Sequence, residues 1–290
     1  MKYAFIEQHR EDFSLSELCD VLHVSVSGYY AWHHRPESKR AQQDKELSKK
    51  ILALHSASGG SYGSVRLHQG LKKSGEDVGR NRVIKLMKHH HIQAKVRRKY
   101  KQTTDSNHTF GYHPNLLNQQ FDVAKANCVY AGDISYIWTQ EGWLYLAVVM
   151  DLFSRRIIGW SMSSRMTRQL VIDALLSAYW RRKPDPGVIF HSDKGVQYAS
   201  YDYRRLLKHY GFIGSMSGKG NCYDNAVVES FFHSLKVEQV HHKNYKTREE
   251  AKSDIFNYIE IFYNTKRLHS SLGYCSPVEF EQKYMTPQVA

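Results

Sequence analysis

Three β-rich stretches stand almost end to end in the middle of the chain: Val129 to Ile137, Leu144 to Asp151 and Arg156 to Met162. Only Gln140-Glu141-Gly142 and Phe153-Ser154-Arg155 mark the breaks between them. Connections this short cannot carry a crossover, so consecutive strands must run antiparallel. Beyond Met162 the chain alternates helix and strand. A helical stretch from Thr167 to Trp180 is broken at Pro184-Asp185-Pro186-Gly187, and Val188-Ile189-Phe190-His191 then reads as a buried strand. A helix near Tyr203–His209, a short strand at Phe212-Ile213-Gly214 and a long helix from Asp224 to about Val240 complete the series.

That order predicts a ribonuclease-H-like α/β catalytic domain, a mixed five-stranded sheet with helices, over residues 121–283. The chain before it is patterned differently. Ser14 and Glu17 have the capping-box spacing, and Leu15, Leu18, Cys19 and Leu22 follow at i, i+3, i+4 and i+7. A break at His23-Val24-Ser25 leads to a second short helical segment ending at Tyr29-Tyr30-Ala31-Trp32, the outline of a helix-turn-helix. Beyond Arg35-Pro36, Val65, Leu67, His68 and Leu71 suggest a helix stopped by Gly75. Asn81 is placed to cap another, with Val83, Leu86, Met87 and His90 inward and Arg82, Lys85 and Lys88 outward. The expected organisation is two small all-α helix-turn-helix-like modules, 1–45 and 46–100, then a polar, aperiodic linker at 101–120. A plain helical bundle with a solvated basic face would have the same pattern.

Charge points to a polyanionic partner. Lys and Arg number 41 against 28 Asp and Glu, a net charge of +13 before 17 histidines are counted. The first 110 residues carry 20 of the basic and 11 of the acidic side chains, and Lys95, Arg97, Arg98, Lys99 and Lys101 fall within seven residues. Each cation placed at a phosphate releases counterions, although charge alone does not separate DNA, RNA and an anionic membrane from a solvated basic loop. The longest apolar run, Trp143 to Met150, is eight residues, far short of the ~20 that span a bilayer. An N-terminus without an apolar core segment and four scattered cysteines without a C-x-x-C pair predict a reduced, cytoplasmic protein.

Three acids occupy the places where such a domain brings strand and helix ends together. Asp133 lies mid-strand in Ala131-Gly132-Asp133-Ile134-Ser135-Tyr136, Asp193 follows a strand end in His191-Ser192-Asp193-Lys194-Gly195, and Glu229 sits one turn inside a helix. Singly, each has a plain explanation: an arginine partner, a turn, a solvated helix position. Together they would repel one another unless a divalent cation compensates, and hard oxygen donors select Mg²⁺ or Mn²⁺. Two such ions can activate a hydroxyl and stabilise the leaving oxygen of a phosphodiester. On the last helix Val228, Phe231, Phe232 and Leu235 form a buried stripe, while Glu229 and Lys236, seven apart, share another face about 10 Å along the axis.

The runs Gly132-Asp133-Ile134-Ser135-Tyr136-Ile137, Glu141-Gly142-Trp143-Leu144-Tyr145-Leu146-Ala147-Val148-Val149-Met150-Asp151-Leu152-Phe153-Ser154-Arg155 and His191-Ser192-Asp193-Lys194-Gly195-Val196-Gln197-Tyr198 closely resemble bacterial insertion-sequence transposases. The resemblance is to the downstream reading-frame product of the two-frame type, the IS-three group, and covers roughly residues 13–283. Thirty-five residues separate Asp193 from Glu229, as in that group's D, D-35-E spacing, and Lys236 matches its basic residue seven after the Glu. The tail from Tyr263-Asn264-Thr265-Lys266-Arg267 to Ser276-Pro277 is similar to its closing motif. The resemblance implies a retroviral-integrase-like core in which Asp133, Asp193 and Glu229 hold two Mg²⁺ or Mn²⁺ ions. One strand is cut at the element end, and the freed 3′ hydroxyl attacks a second phosphodiester without a covalent protein–DNA intermediate. It further implies double-stranded DNA as partner (element ends and target), Lys236 near the element end, a homo-oligomer on DNA, and a place at the bacterial nucleoid. An upstream reading-frame product or fusion with its own helix-turn-helix and zipper is expected, since this chain starts at Met1 with no heptad repeat.

Other polar residues are read more plainly. Asp151 is expected to be structural, and Asn221, Asp224 and Asn225 to cap the long helix. Arg267 and His269 are placed either at phosphate or in packing, and His89-His90-His91 lacks zinc-site spacing. Arg82, Lys85, Lys88, Arg97, Arg98, Lys236 and Arg267 are the DNA-contact candidates. Two rival functions use the same features: a ribonuclease-H-type nuclease on RNA–DNA hybrids, and a DNA-binding regulator or inactive transposase remnant.

Overall fold

The structure is a computed structural model and describes residues 1–95, 113–218 and 222–285. Arg97, Arg98, Lys99, Lys101 and Asn221, with most of the 101–120 linker, lie outside the described residues. The chain forms two compact units, Met1–Ile51 and Leu52–Ala290.

In the first unit, α1 (Lys2–His9), α2 (Leu15–Val21) and α3 (Val26–His33) precede the start of α4 (Lys39–Ala57). The capping box at Ser14 forms: its hydroxyl accepts from the Glu17 amide, and the Glu17 carboxylate accepts from the Ser14 amide. Ser25 caps α3 by accepting from the Gly28 amide at 3.0 Å. Ile6, Leu18, Cys19 and Tyr29 make the small core, and the Tyr29 hydroxyl donates to Glu7.

The second unit holds α5 (Ser64–Lys73) and α6 (Arg80–His89). Gly75 follows α5 with φ +86°. The expected cap at Asn81 is not made: the helix begins two residues earlier than that cap implies, with Gly79 at the N-cap and no side-chain cap. Val83 and Met87 are buried and Leu86 half-buried, but His90 is exposed rather than inward. These helices are tied to the tail of the chain. Tyr62 donates to the Lys266 carbonyl at 3.2 Å and accepts from the Leu268 amide at 2.8 Å, Arg66 donates to the Leu268 carbonyl at 3.1 Å, and Lys73 pairs with Glu279 at 2.8 Å.

The sheet contains β1 (Val129–Thr139), β2 (Gly142–Asp151), β3 (Ile157–Ser163), β4 (Ile189–Ser192) and β5 (Ile213–Met216), in the order β3-β2-β1-β4-β5. The first three are antiparallel neighbours, as their short turns require. The β1–β2 turn closes at Gly142, whose φ of +103° favours glycine. β4 and β5 add in parallel, each reached through helices: α7 (Arg168–Arg182), then α8 (Val196–Ala199) and α9 (Tyr201–His209). This is the mixed five-stranded ribonuclease-H-like arrangement. Ala147, Val149, Ile158 and Phe190 on one face pack with Leu170, Ala174, Leu175 and Ala178 of α7 and Tyr203 of α9. The other face, with Leu144, Leu146, Val148 and Met150, is covered by α10 (Ala226–Glu238), α11 (Arg248–Phe256) and a π-helical turn (Asn257–Tyr263). The stripe Val228, Phe231, Phe232 and Leu235 is buried there as its spacing predicts. A final helix, α12 (Pro277–Met285), ends the described chain. Among the described residues no helix is long and apolar enough to cross a membrane.

Candidate active site

The parallel pairing of β1 with β4 ends at Gly132 and Ser192. Asp133 is the next residue of β1 and Asp193 the first residue past β4, so the register of the paired strands sets the two side by side. Glu229, fourth residue of α10, is close enough for its charge to act on Asp133 and to feel that of Asp193. All three are half-buried. Asp133 accepts from the Ile134 amide at 2.7 Å and Asp193 from the Gly195 amide at 2.9 Å.

The electrostatics tie the three together. Burial, and then the Asp193 carboxylate, push the Asp133 carboxyl well above the usual range; Glu229 adds to this and Lys236 opposes it. Burial and Asp193 likewise raise Glu229. Lys236 is lowered by burial against the pull of Asp133, and its ammonium stands 4.9 Å from the Tyr136 ring centre. The acids do not form a closed cage as they lie: among the described residues no three His, Cys, Asp or Glu are grouped tightly enough to hold an ion. Their chemistry fits one nonetheless. Carboxylates that raise one another's pKa relieve that cost by sharing a hard cation.

Close packing backs the site. A Cβ on Gly132 would lie 2.6 Å from Phe190 Cζ and 3.3 Å from the Tyr198 hydroxyl. Tyr198 is buried, and its phenol is raised by burial and by Tyr203, Asp133 and Asp193. His191 joins β4 to β5 through Ser215 at 2.9 Å and Ser217 at 3.3 Å, and burial pushes it down to about 4. Asp224 and Asn225 do not cap α10 with their side chains, contrary to expectation. Asp224 instead accepts from Asn115 (3.0 Å), Gln119 (3.2 Å) and the Gly218 amide (2.7 Å), tying the 115–119 segment to the loop after β5. The sequence singles out neither Tyr136, Tyr198 nor this latch as part of the site, because their contacts with Lys236, Gly132 and Asn115 join distant parts of the chain.

The remaining candidates separate clearly. Lys85 and Lys88 are exposed on α6 and Arg82 is half-buried. Arg267 is not a phosphate contact: it is 3% exposed, and its guanidinium is closed on Glu238 and Ser234. His269 packs beside it, its ring bonded to Ser271 at 2.9 Å and pushed down to about 4 by burial. Asp151 is buried and structural, accepting from the Asn127 and Phe153 amides at 2.9 and 3.0 Å. His89, His90 and His91 are exposed. A cavity of about 440 Å³ lined by Lys125–Cys128 and Lys183–Val188 opens where β1 and β4 begin, at the opposite end from the acids.

The chain is similar to known integrase-core proteins and transposases. Two integrase core domain models match residues 123–222 and 229–285, and an HTH-like domain model matches 42–100. The transposase InsF for insertion sequence IS3A of Escherichia coli K12 is 47% identical over 98% of this chain and 99% of its own length. An uncharacterized 31 kDa protein of insertion element IS600 from Shigella sonnei is 45% identical over 92% of this chain and 98% of its own. Among solved structures, the HTLV-2 integrase catalytic core domain in complex with magnesium (trimeric form) matches 55% of this chain and 98% of that one, at 15% identity and a TM-score of 0.43. With integrase core models over more than half its length and a full-length relative at nearly half identity, the chain belongs to the IS3 family of insertion-sequence transposases, enzymes built on an integrase core with an HTH-like domain before it.

Proposed function

We propose that Asp133, Asp193 and Glu229 are the catalytic acids and hold two divalent cations, Mg²⁺ or Mn²⁺, at which the chain cuts element-end DNA and joins the 3′ end to target DNA. The observation that carries this reading is the β1–β4 register, which ends at Gly132 and Ser192 and so brings Asp133 and Asp193 to one end of the sheet, where Glu229 of α10 is close enough to feel the Asp193 charge. When bound, the cations would stabilise charge on the attacking and leaving oxygens of the phosphodiester. The chain's own residues position that chemistry. The Ile134 and Gly195 amides orient Asp133 and Asp193, α10 presents Glu229, and Lys236 offers a cation to the phosphate beside them.

The helix-turn-helix-like segments at 1–45 and 46–100 would carry DNA to the core at 121–283, with Arg82, Lys85 and Lys88 on the backbone. A homo-oligomer at the nucleoid, completed by an upstream reading-frame product, is the assembly this reading requires. The test incubates the full chain, alone and with that upstream product, with element-end duplex and Mg²⁺. Strand cutting and joining are expected. Asp193→Ala cutting as well as the parent would overturn the acid assignment, and release of ribonucleotides from a hybrid without joining would favour a nuclease.

A further inference from the structure

The hairpin that leads away from Asp133 carries an aromatic row that the proposed chemistry leaves unused. In the β1–β2 register Tyr136 pairs with Tyr145 and Trp138 with Trp143, so all four rings share one face of the ribbon. Trp143 meets Tyr136 at 5.0 Å and Trp138 at 4.8 Å between ring centres, both edge to face. Trp138 is 57% and Trp143 41% exposed. At the inner end of the row stands Lys236, over Tyr136 and drawn by Asp133.

The ribbon is held firmly. Arg248 donates from Nε to the Trp143 carbonyl at 3.1 Å, from Nη2 to the Glu141 carbonyl at 2.5 Å, and from its amide to the Glu141 carboxylate at 2.8 Å. The Glu141 carboxylate at the tip is thereby engaged, and the rings are presented on a fixed support.

We infer that Trp138 and Trp143, with Tyr136 and Lys236, form a stacking platform for unpaired nucleotides adjoining the phosphodiester that the acids attack. Two observations choose this occupant. Exposed π faces in a row suit flat rings, and the lysine at the inner end suits a polyanion, so nucleic acid satisfies both where an acyl chain or an acidic peptide satisfies one. Bases inside a duplex already stack on each other and leave no face for tryptophan, which selects unstacked nucleotides. Five residues of strand from Asp133 to Trp138 span about 17 Å at ~3.3 Å per residue and put the rings on the ribbon face opposite Asp133, so a nucleotide chain leaving the acids reaches them round the edge of β1 beyond its pairing with β4, where Lys236 stands over Tyr136. The inference rests on the reading of Asp133, Asp193 and Glu229 as the cutting site, but its test does not require cutting.

The probe is a DNA duplex ending in a short single-stranded overhang that contains 2-aminopurine, compared with the same duplex blunt, each titrated with the full chain in EDTA. The parent is expected to bind the overhang duplex more tightly and to quench the 2-aminopurine. Trp138→Ala should weaken overhang binding roughly tenfold while leaving blunt binding unchanged, and Trp138→Tyr should retain most of the preference. Circular dichroism identifies any variant that fails to fold, in which case the Tyr variant and Trp143→Phe decide the matter. An overhang preference that survives in both Trp138→Ala and the Trp138→Ala, Trp143→Ala double variant would overturn the inference. So would equal losses on the two duplexes, or a change in self-association alone, which would mark a surface between copies of the chain. Asp193→Ala assayed in Mg²⁺ separates the two ideas: cutting by that variant sinks the acid reading, whereas the overhang titration judges the platform.

Discussion

Arg267 closes on Glu238 from two directions: Nε lies 2.8 Å from one carboxylate oxygen and Nη2 lies 2.7 Å from the other, with both side chains buried. Tyr258 donates to the same carboxylate at 2.8 Å. Burial alone would raise Glu238, yet these hydrogen bonds outweigh it and hold the carboxyl below the usual range. Removing Arg267 leaves the buried Glu238 charge with only Arg66, at 3.6 Å, and the Tyr258 hydroxyl. Arg267→Ala should therefore cost about 3–5 kcal/mol, read as a lower urea midpoint. A double replacement by apolar residues, Arg267→Met with Glu238→Met, should recover much of that loss.

His191 gives the fold an acid sensitivity. Its folded pKa is about 4 against 6.5 for the free side chain, so between those values the unfolded chain binds the proton first. Its stabilising contribution is complete above pH 6.5 and fades as pH falls towards 4. His269 has the same sign, whereas Asp133 and Asp151, both raised, have the opposite one. The variant comparison isolates the effect. His191→Asn should melt lower than the parent at pH 7.5, and the difference between their Tm values should shrink by pH 5.

Gly132 is held to glycine by Phe190. Gly132→Ala places a methyl group 2.6 Å from the ring edge, so β1 and β4 must part beside both aspartates. A loss of about 1–3 kcal/mol is expected, with strand cutting falling more than the melting shift alone explains. Phe190→Leu in the same chain should restore part of both. Unchanged activity in a folded Gly132→Ala would show that the spacing of the two strands does not matter.

On the proposed assignment, the acids trade stability for function. Without metal, Asp193→Asn removes the charge that raises Asp133 and Glu229, so it should melt at or above the parent in EDTA, by roughly 1 kcal/mol. Mg²⁺ at a hundred times its dissociation constant should stabilise the parent by about 2.7 kcal/mol and the variant by far less. Equal metal-induced shifts in the two proteins would place the cations elsewhere.

The meander, α7 and the stripe on α10 were legible because local periodicity and short connections leave few alternatives. Asp133 stood out as a charge inside an apolar strand, and the spacing of Asp193 and Glu229 followed from the family's motif. Interactions between distant parts of the chain were not legible. Arg267 stays open between phosphate and packing in the sequence because its partner lies 29 residues away on another element. Asp224 looked like a cap because its donors come from Asn115 and Gln119, more than a hundred residues earlier. The π-helical turn at Asn257–Tyr263 is apolar nearly all round, which erases the stripe that marks a helix. At α1 the apolar and polar residues show no helical bias, so pattern alone gave no reason to expect it.

Tyr62, Arg66 and Lys73 reach past two hundred residues of sequence to grip Lys266, Leu268 and Glu279. Trimming the chain before Lys266 would thus strip the seat from a helix near the other terminus, and the damage would surface far from the cut. Split between those contacts, the two halves carry complementary surfaces by which they can find each other again.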